Sequence, residues 1–421
     1  MPKGKKDKLE RRATFLDYVI ETIITLKVRQ KTIYNLSRLK RQSVRSLWVS
    51  VIIILMTMAI SCSSGGSSSS DMTMGEELQA SLDKAIGAYG GKGASVAVIL
   101  PDGSSWIGTS GTSTGSVPVS SNMLFSIGSA TKTFTAVVIL QLAEEGVLTL
   151  EDPLSEWLPT YENVDSTITI HQLLNHTSGI YNCTEHPEIW NDIFANLYAQ
   201  WTMEEILEGY ILSPDFPKGT DWHYSNTGYL LLRMIIKEAT GQSISSQYRE
   251  RLFKPTGLTD MFTAVEESPT GQVANGWYDI DNDGDYDDFS NVPQTAFYSA
   301  IGGGVFATAK DFALWVKAVW HDRILLDPDY YDQMMAFHSP TPGEPLASGY
   351  GLGVVRFNPD LFNGLTIYGH AGNPLGYAAG GFYLADYGVS IAILDNTEEG
   401  ETMPVINEIL RIITKHVSPS S

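Results

Sequence analysis

Strand-like patterns occur in two places far apart in this chain, and a long helix-rich stretch separates them. Near the start, Ala94-Ser95-Val96-Ala97-Val98-Ile99-Leu100 is an apolar run, followed by a turn at Pro101-Asp102-Gly103 and a return strand over 105–108. Near the end, residues 351–355, 365–369, 379–384 and 389–395 alternate or run apolar between turn signals. Leu78, Leu82, Ile86 and Tyr89 fall at helical spacing over 75–89, and 404–416 closes the chain as a second helix. This order predicts an α/β (α+β) fold: an antiparallel sheet built from both chain ends, flanked by helices, with a mostly helical second lobe. At 421 residues the chain has room for one such unit or for two or three average domains. No repeat of 20–50 residues is visible.

Charge is divided unevenly. Residues 1–45 carry 13 of the 28 Lys and Arg but only 4 of the 48 Asp and Glu, which leaves the remainder at a formal −29. Residues 47–60 are dominated by apolar side chains, preceded by Arg41 and Arg45 and followed by small residues. That is the layout of an export signal and too short for a comfortable membrane span. Ala59-Ile60-Ser61-Cys62 resembles a bacterial lipoprotein cleavage box, so Cys62 is the expected lipidation site, with a plain signal peptide as the alternative. The expected organisation is a basic extension over 1–46, a lipoprotein-type signal over 47–62, a Ser/Gly-rich tether over 63–75, one folded domain over 76–416 and a tail over 417–421. The extension is either a cytosolic segment, with an amphipathic helix around 15–28, or the product of a start site assigned too far upstream. Export places the protein on a membrane through its lipid anchor, facing the periplasm or cell exterior. Its acidic domain would repel phosphates, which argues against a nucleic-acid partner. Cys183 is the only other cysteine, so the domain holds together without a disulfide if Cys62 is acylated, and the lone thiol is read as a bystander.

The chemistry centres on Ser129 and Lys132, three residues apart at the mouth of a helix whose Phe134, Val138 and Leu142 recur every four residues before Gly146. A serine hydroxyl is a poor nucleophile until a base takes its proton, and a neighbouring lysine can do so when burial or other cations lower its pKa. Ser-x-x-Lys also occurs at Ser37–Lys40 and Ser81–Lys84, but the first lies in the basic segment and the second inside a helix. Gly111-Thr112-Ser113-Thr114-Gly115 has the spacing of a nucleophile elbow, yet Pro118 follows where a helix should start, so a polar loop is expected there. Residues 181–212, rich in Trp, Tyr and acidic groups, are expected to be helical and to roof the site. The glycines of 302–304 open a helix running to Val319 and lack the Gly-Lys-Ser/Thr of a nucleotide loop.

Ser129-Ala130-Thr131-Lys132, residues 173–179, Tyr224-Ser225-Asn226, 302–311 and His370-Ala371-Gly372 occur in one order. Together they resemble the serine β-lactamase and penicillin-recognising enzyme superfamily, in the branch of class C β-lactamases, D-alanyl-D-alanine carboxypeptidases and related esterases. The resemblance covers about 76–416. It implies that Ser129 is the acylated nucleophile, Lys132 its partner in deprotonation and Tyr224 an acid/base group, whose phenol, with a reference pKa of about 10, needs a nearby cation to act as a base. It also implies that Asn226 binds the substrate's acyl side chain or the lysine. His370, Ala371 and Gly372 would lie on an edge strand lining the site, and the backbone N–H groups of Ser129 and Asn373 would form the oxyanion hole. His370 stands where this family carries Lys or His, and without a permanent cation the grip on a substrate carboxylate weakens. The expected activity is therefore that of a D-Ala-D-Ala carboxypeptidase-like peptidase or a β-lactamase-related esterase. A weak β-lactamase and a catalytically silent binding protein are the alternatives. The expected partner is a small-molecule or peptide substrate: a peptidoglycan-type D-amino-acid peptide, an ester or a β-lactam.

No cofactor is required by this chemistry. Asp279, Asp281, Asp283 and Asp285 alternate with Gly284 in the sixth place, as in the first half of a calcium loop, but Ser290 replaces the bidentate Glu of the twelfth. A structural Ca2+ therefore competes with a solvated acidic turn. Calorimetry separates the two: heat and a raised melting temperature on adding calcium mark a metal-bound loop, and their absence marks the turn.

Overall fold

Both strand groups enter one sheet. In the computed structural model, which describes residues 72–89, 91–280, 285–289, 303–338, 345–397 and 402–420, the first group supplies β1 (Gly93–Ile99), β2 (Ser105–Thr114) and β3 (Val117–Pro118). Short strands follow in the middle of the chain: β4 (Phe125–Ser126), β5 (Met261–Thr263), β6 (Trp277–Tyr278), β7 (Asp287–Asp288) and β8 (Val305–Ala307). The last group supplies β9 (Ala347–Tyr350), β10 (Val355–Phe357), β11 (Ile367–Gly372), β12 (Ala378–Leu384) and β13 (Val389–Asp395). The large sheet runs β3-β2-β1-β13-β12-β11-β10-β9, and its pairings are antiparallel. Its junction is β1 against β13, with Val96 opposite Ile393 and Val98 opposite Ile391.

These two strands read as continuous apolar runs because both faces of the sheet are covered. Val96, Val98, Ile391 and Ile393 pack with Leu78, Leu82, Ile406 and Ile413 of the Met74–Tyr89 and Thr402–His416 helices. Ala97, Ile99, Ala392 and Leu394 belong to the larger core on the opposite face. Phe312 and Val316 of the Ala309–Val316 helix lie so close to that face that a Cβ on Gly381 would come within 2.6 Å of Phe312. The larger core holds the Lys132–Glu144 helix, in which Phe134, Val137, Val138, Ile139 and Leu140 are all buried. Gly146 ends it with positive φ, its N–H bonding Ala143 O while Val147 N–H bonds Leu142 O. Phe134 stacks on Trp315 with centroids 3.8 Å apart, and Trp315 Nε1 donates to Thr133 Oγ1 at 2.9 Å. The helix beginning at Lys132 is thereby fixed against the helix that packs on the sheet.

Several expectations change. The 111–114 stretch is not a loop but the end of β2, where Gly111 adopts φ +73° and the register shifts between Thr112 and Thr114. Ser113 is buried and accepts a hydrogen bond from Asn275 N–H at 2.9 Å, which makes it structural. Residues 351–354 form the turn between β9 and β10 rather than a strand, and β8 precedes the Ala309–Val316 helix. The 181–212 stretch holds only a turn at Cys183–Glu185 and helices at Ile189–Ala195 and Met203–Gly209. Residues 1–71, and with them the extension, signal segment, Cys62 and most of the tether, lie outside the described residues. Among the described residues no helix is long and apolar enough to cross a membrane.

Phe134→Ala removes the stacked ring beneath the start of the helix and should destabilise the domain by about 3–5 kcal/mol. Urea unfolding of the two proteins measures it, and a loss under about 1 kcal/mol would mean that the stack contributes little.

Candidate active site

The approach to Ser129 is a tight turn. Ile127 sits at φ −95°, ψ 1°, and Gly128 at φ +49°. Ser129 occupies a 3₁₀ turn over Gly128–Thr131, not the α-helix itself, which starts with Lys132. Ile127 N–H bonds Val305 O at 3.0 Å and Thr131 Oγ1 accepts from Val305 N–H at 3.3 Å, so β8 holds the turn from both ends. From the other side, β11 presses close: a Cβ on Gly372 would lie 2.7 Å from Ser129 N and 2.1 Å from Ile127 O. Glycine at 372 is thus required by backbone approach.

β11 is not the edge strand expected from the sequence, because β10 and β9 lie beyond it. β10 pairs with it only at Gly369 and Tyr368, so His370, Ala371 and Gly372 extend past their neighbour and face the cavity. That cavity holds about 460 Å³ and is lined by Ser129, Tyr224, His370, Ala371, Gly372 and Asn373 together with side chains that sequence reasoning did not single out.

Lys132 is 1% exposed. Its Nζ donates to Ser129 Oγ at 3.1 Å and to Asn226 Oδ1 at 2.7 Å, and no carboxylate pairs with it among the described residues. Burial, assisted by the buried Arg233 cation and opposed by Cys183, brings its pKa down to about 7. It also lies 4.9 Å from the centroid of the Tyr224 ring. Tyr224 hydrogen-bonds Ser129, but burial outweighs that bond and pushes the phenol far above its ordinary value, so it stays protonated near neutral pH. His370 is neutral as well, with burial and the Lys132 charge taking it down to about 3. Its Nδ1 is 2.6 Å from Ala371 O. A carbonyl only accepts, so the proton sits on Nδ1 and Nε2 accepts from Tyr350 OH at 3.1 Å.

Asn226 opens the Asn226–Thr240 helix, which starts earlier than the apolar spacing suggests. Its Nδ2 donates to Thr184 Oγ1 at 3.1 Å and Asn182 Oδ1 at 3.4 Å, and its N–H to Asn182 Oδ1 at 3.1 Å. Those bonds turn Asn226 Oδ1 toward the lysine. His176 closes the far side: it has φ +63°, its Nδ1 accepts from Ser225 N–H at 3.1 Å, and its ring lies 4.4 Å from that of Tyr224 and 4.6 Å from that of Tyr350. The stretch 173–179 therefore acts through His176, which orients the backbone next to Tyr224. Asn182, Thr184 and Tyr350 gave no sequence signal, since each is an ordinary residue made relevant by a contact distant in the chain.

Cys183 is buried behind the lysine and burial pushes its thiol up to about 11, which leaves it unreactive. Of the calcium-loop candidates, Asp281 and Asp283 lie outside the described residues.

The β-lactamase family model matches residues 78–414. Penicillin-binding protein 4* of Bacillus subtilis is 28% identical over 298 residues, covering 67% of this chain and 62% of that protein. Penicillin-binding protein 4 of Amycolatopsis lactamdurans is 34% identical over 163 residues, covering 38% of this chain and 41% of that protein. The chain thus matches less than two thirds of the length of these relatives. Among solved structures, a D-stereospecific amidohydrolase from Streptomyces superposes with a TM-score of 0.68 at 29% identity, covering 78% of this chain and 96% of that one.

A lysine with a pKa of about 7 is ammonium below that pH and free amine above it. The rate of Ser129 acylation by p-nitrophenyl acetate should rise with pH through a midpoint near 7, while His370, neutral throughout, adds no step between pH 5 and 9. Lys132→Arg, which cannot lose its proton, should lower the rate by about 10²–10⁴. A midpoint above 9 would remove the lysine from the role of base.

Proposed function

The chain belongs to the β-lactamase family, within the serine hydrolase superfamily of β-lactamases and penicillin-binding proteins, and on that premise we propose that it cleaves amides and esters of small substrates through an acyl-enzyme on Ser129. Support comes chiefly from one observation: Lys132 is buried against Ser129 Oγ and, among the described residues, its hydrogen-bond partners are neutral, which favours the free amine that deprotonation requires. Lys132 takes the hydroxyl proton as Oγ attacks the carbonyl. The oxyanion is held by the backbone N–H groups of Ser129 and Asn373. Tyr224, which shares Ser129 with the lysine, gives its phenol proton to the departing amine or alcohol, and the nearby Lys132 ammonium returns a proton to the phenolate, so that the acyl-enzyme holds a neutral amine and a phenol. Water then attacks the acyl-enzyme with the same groups in reverse, Ser129 Oγ leaving with a proton.

The neutral His370 bears on the substrate. D-Ala-D-Ala peptides and β-lactams both carry a carboxylate, and the His370 side chain offers it no fixed positive charge. This supports amidase or esterase activity over a carboxypeptidase or β-lactamase. The relatives named penicillin-binding proteins support the peptidase as the second reading. We extend the proposal to export and anchoring through Cys62, which the signal-like 47–60 stretch supports.

Incubation with a fluorescent fluorophosphonate should label the protein at Ser129, and Ser129→Ala should take no label. Among p-nitrophenyl acetate, a D-Ala-D-Ala peptide and nitrocefin, the ester should turn over fastest. Absence of label and of turnover on all three would leave a silent binding protein.

A further inference from the structure

Among the described residues, the one carboxylate that lines the cavity is that of Glu185. His370 is neutral, and Tyr224, Tyr350 and Asn373 carry no charge at neutral pH. His223 lines the cavity beside Glu185. His223 Nδ1 lies 2.7 Å from Asp215 Oδ2 and its Nε2 lies 3.2 Å from Glu185 Oε1, so one imidazole is held between two carboxylates. Even with His223 protonated this group carries a net negative charge, and with His223 neutral it carries two. The Asp215 backbone N–H donates to Gly179 O at 2.9 Å and the His223 N–H to His176 O at 3.1 Å, which fixes both residues to the 176–179 stretch.

Glu185 is also tied to the nucleophile. Asn182 Nδ2 donates to Glu185 Oε1 at 3.1 Å, Asn182 Oδ1 accepts from the Asn226 N–H at 3.1 Å, and Asn226 Oδ1 accepts from Lys132 Nζ at 2.7 Å. A continuous hydrogen-bonded series therefore runs from Ser129 Oγ to a carboxylate at the cavity mouth. Glu185 stays available to a ligand, since its side chain is 48% exposed and His223 engages only Oε1. Asp215 sits behind the imidazole and would hold it in place when a ligand cation approaches.

We propose that Glu185 is a specificity-determining residue that receives a protonated amine on the acyl part of the substrate, so that the enzyme selects amino-acid amides and esters, or peptides with a free N-terminus. The proposal rests on the serine hydrolase reading. A carboxylate at this wall repels the negatively charged acyl donors that His370 already fails to hold, and the same wall attracts an ammonium group. An ammonium there donates to Glu185 Oε2 without displacing His223, and the scissile carbonyl lies on the Ser129 side of Asn182. N-acylation of the substrate removes both the charge and two of the three donors.

The test uses the purified protein with alanine p-nitroanilide and N-acetylalanine p-nitroanilide, each as both enantiomers, and with p-nitrophenyl acetate as the ester lacking an amine. Wild type should favour the free amine over the N-acetyl form of its preferred enantiomer by at least about tenfold in kcat/KM, as expected for a hydrogen bond to a charged group. Glu185→Gln, which keeps the shape, should collapse that preference mainly through KM, and Glu185→Asp should retain part of it. A wild type that cleaves the N-acetyl substrate equally well, or a Glu185→Gln protein that loses rate on all three substrate types in proportion, overturns the assignment while the Ser129 chemistry stands. No cleavage of any substrate together with no fluorophosphonate label overturns the hydrolase reading and the assignment together.

Discussion

A lysine buried beneath a serine, with no counterion among the described residues, is the constraint on which the rest of the site depends. Moving an unpaired ammonium out of water is expensive, and a protein relieves the expense either by supplying a carboxylate or by releasing the proton. Lys132 is surrounded by neutral acceptors, the Ser129 hydroxyl and the Asn226 amide, so release is the favoured course. Every neighbour follows from that choice. Asn182 and Thr184 occupy the donors of the Asn226 amide so that its oxygen faces the lysine, and the adjacent tyrosine and histidine are held uncharged by the same burial.

Burial of that kind needs a rigid frame, which the meeting of the two chain ends provides. β1 pairs with β13, helices cover both faces, and the Ala309–Val316 helix connects the sheet to the Lys132–Glu144 helix through the Phe134–Trp315 stack. β11 extends beyond β10 just where it meets the Ser129 turn, so the sheet itself forms one wall of the cavity. Turns and loops at 182–185 and 222–224 supply further lining, with Glu185 as its carboxylate.

Much of the frame was legible in the sequence. Val96–Ile99 and Val389–Leu394 are apolar at every position or nearly so, and a doubly covered strand has no other signature. Ser129, Lys132, Tyr224 and His370 were singled out from motif order; the structure places Ser129, Tyr224 and His370 on one cavity, with Lys132 hydrogen-bonded to Ser129. Two kinds of feature were not legible. Local geometry was one: β2 continues through Gly111 because a glycine with positive φ permits a bulge, and residues 351–354 turn although their composition resembles that of a strand. Long-range partnership was the other, since Asn182, His176 and Glu185 reach the site through bonds to residues 223–226.

Nucleophilic attack by Ser129 depends on the protonation state of Lys132, and a direct titration reports it without reference to any substrate. With 13C-labelled lysine and Lys132→Met to assign the resonance, NMR should show Lys132 titrating near 7. A Lys132 resonance that stays that of an ammonium through pH 9 would contradict the free-amine site and the mechanism built on it.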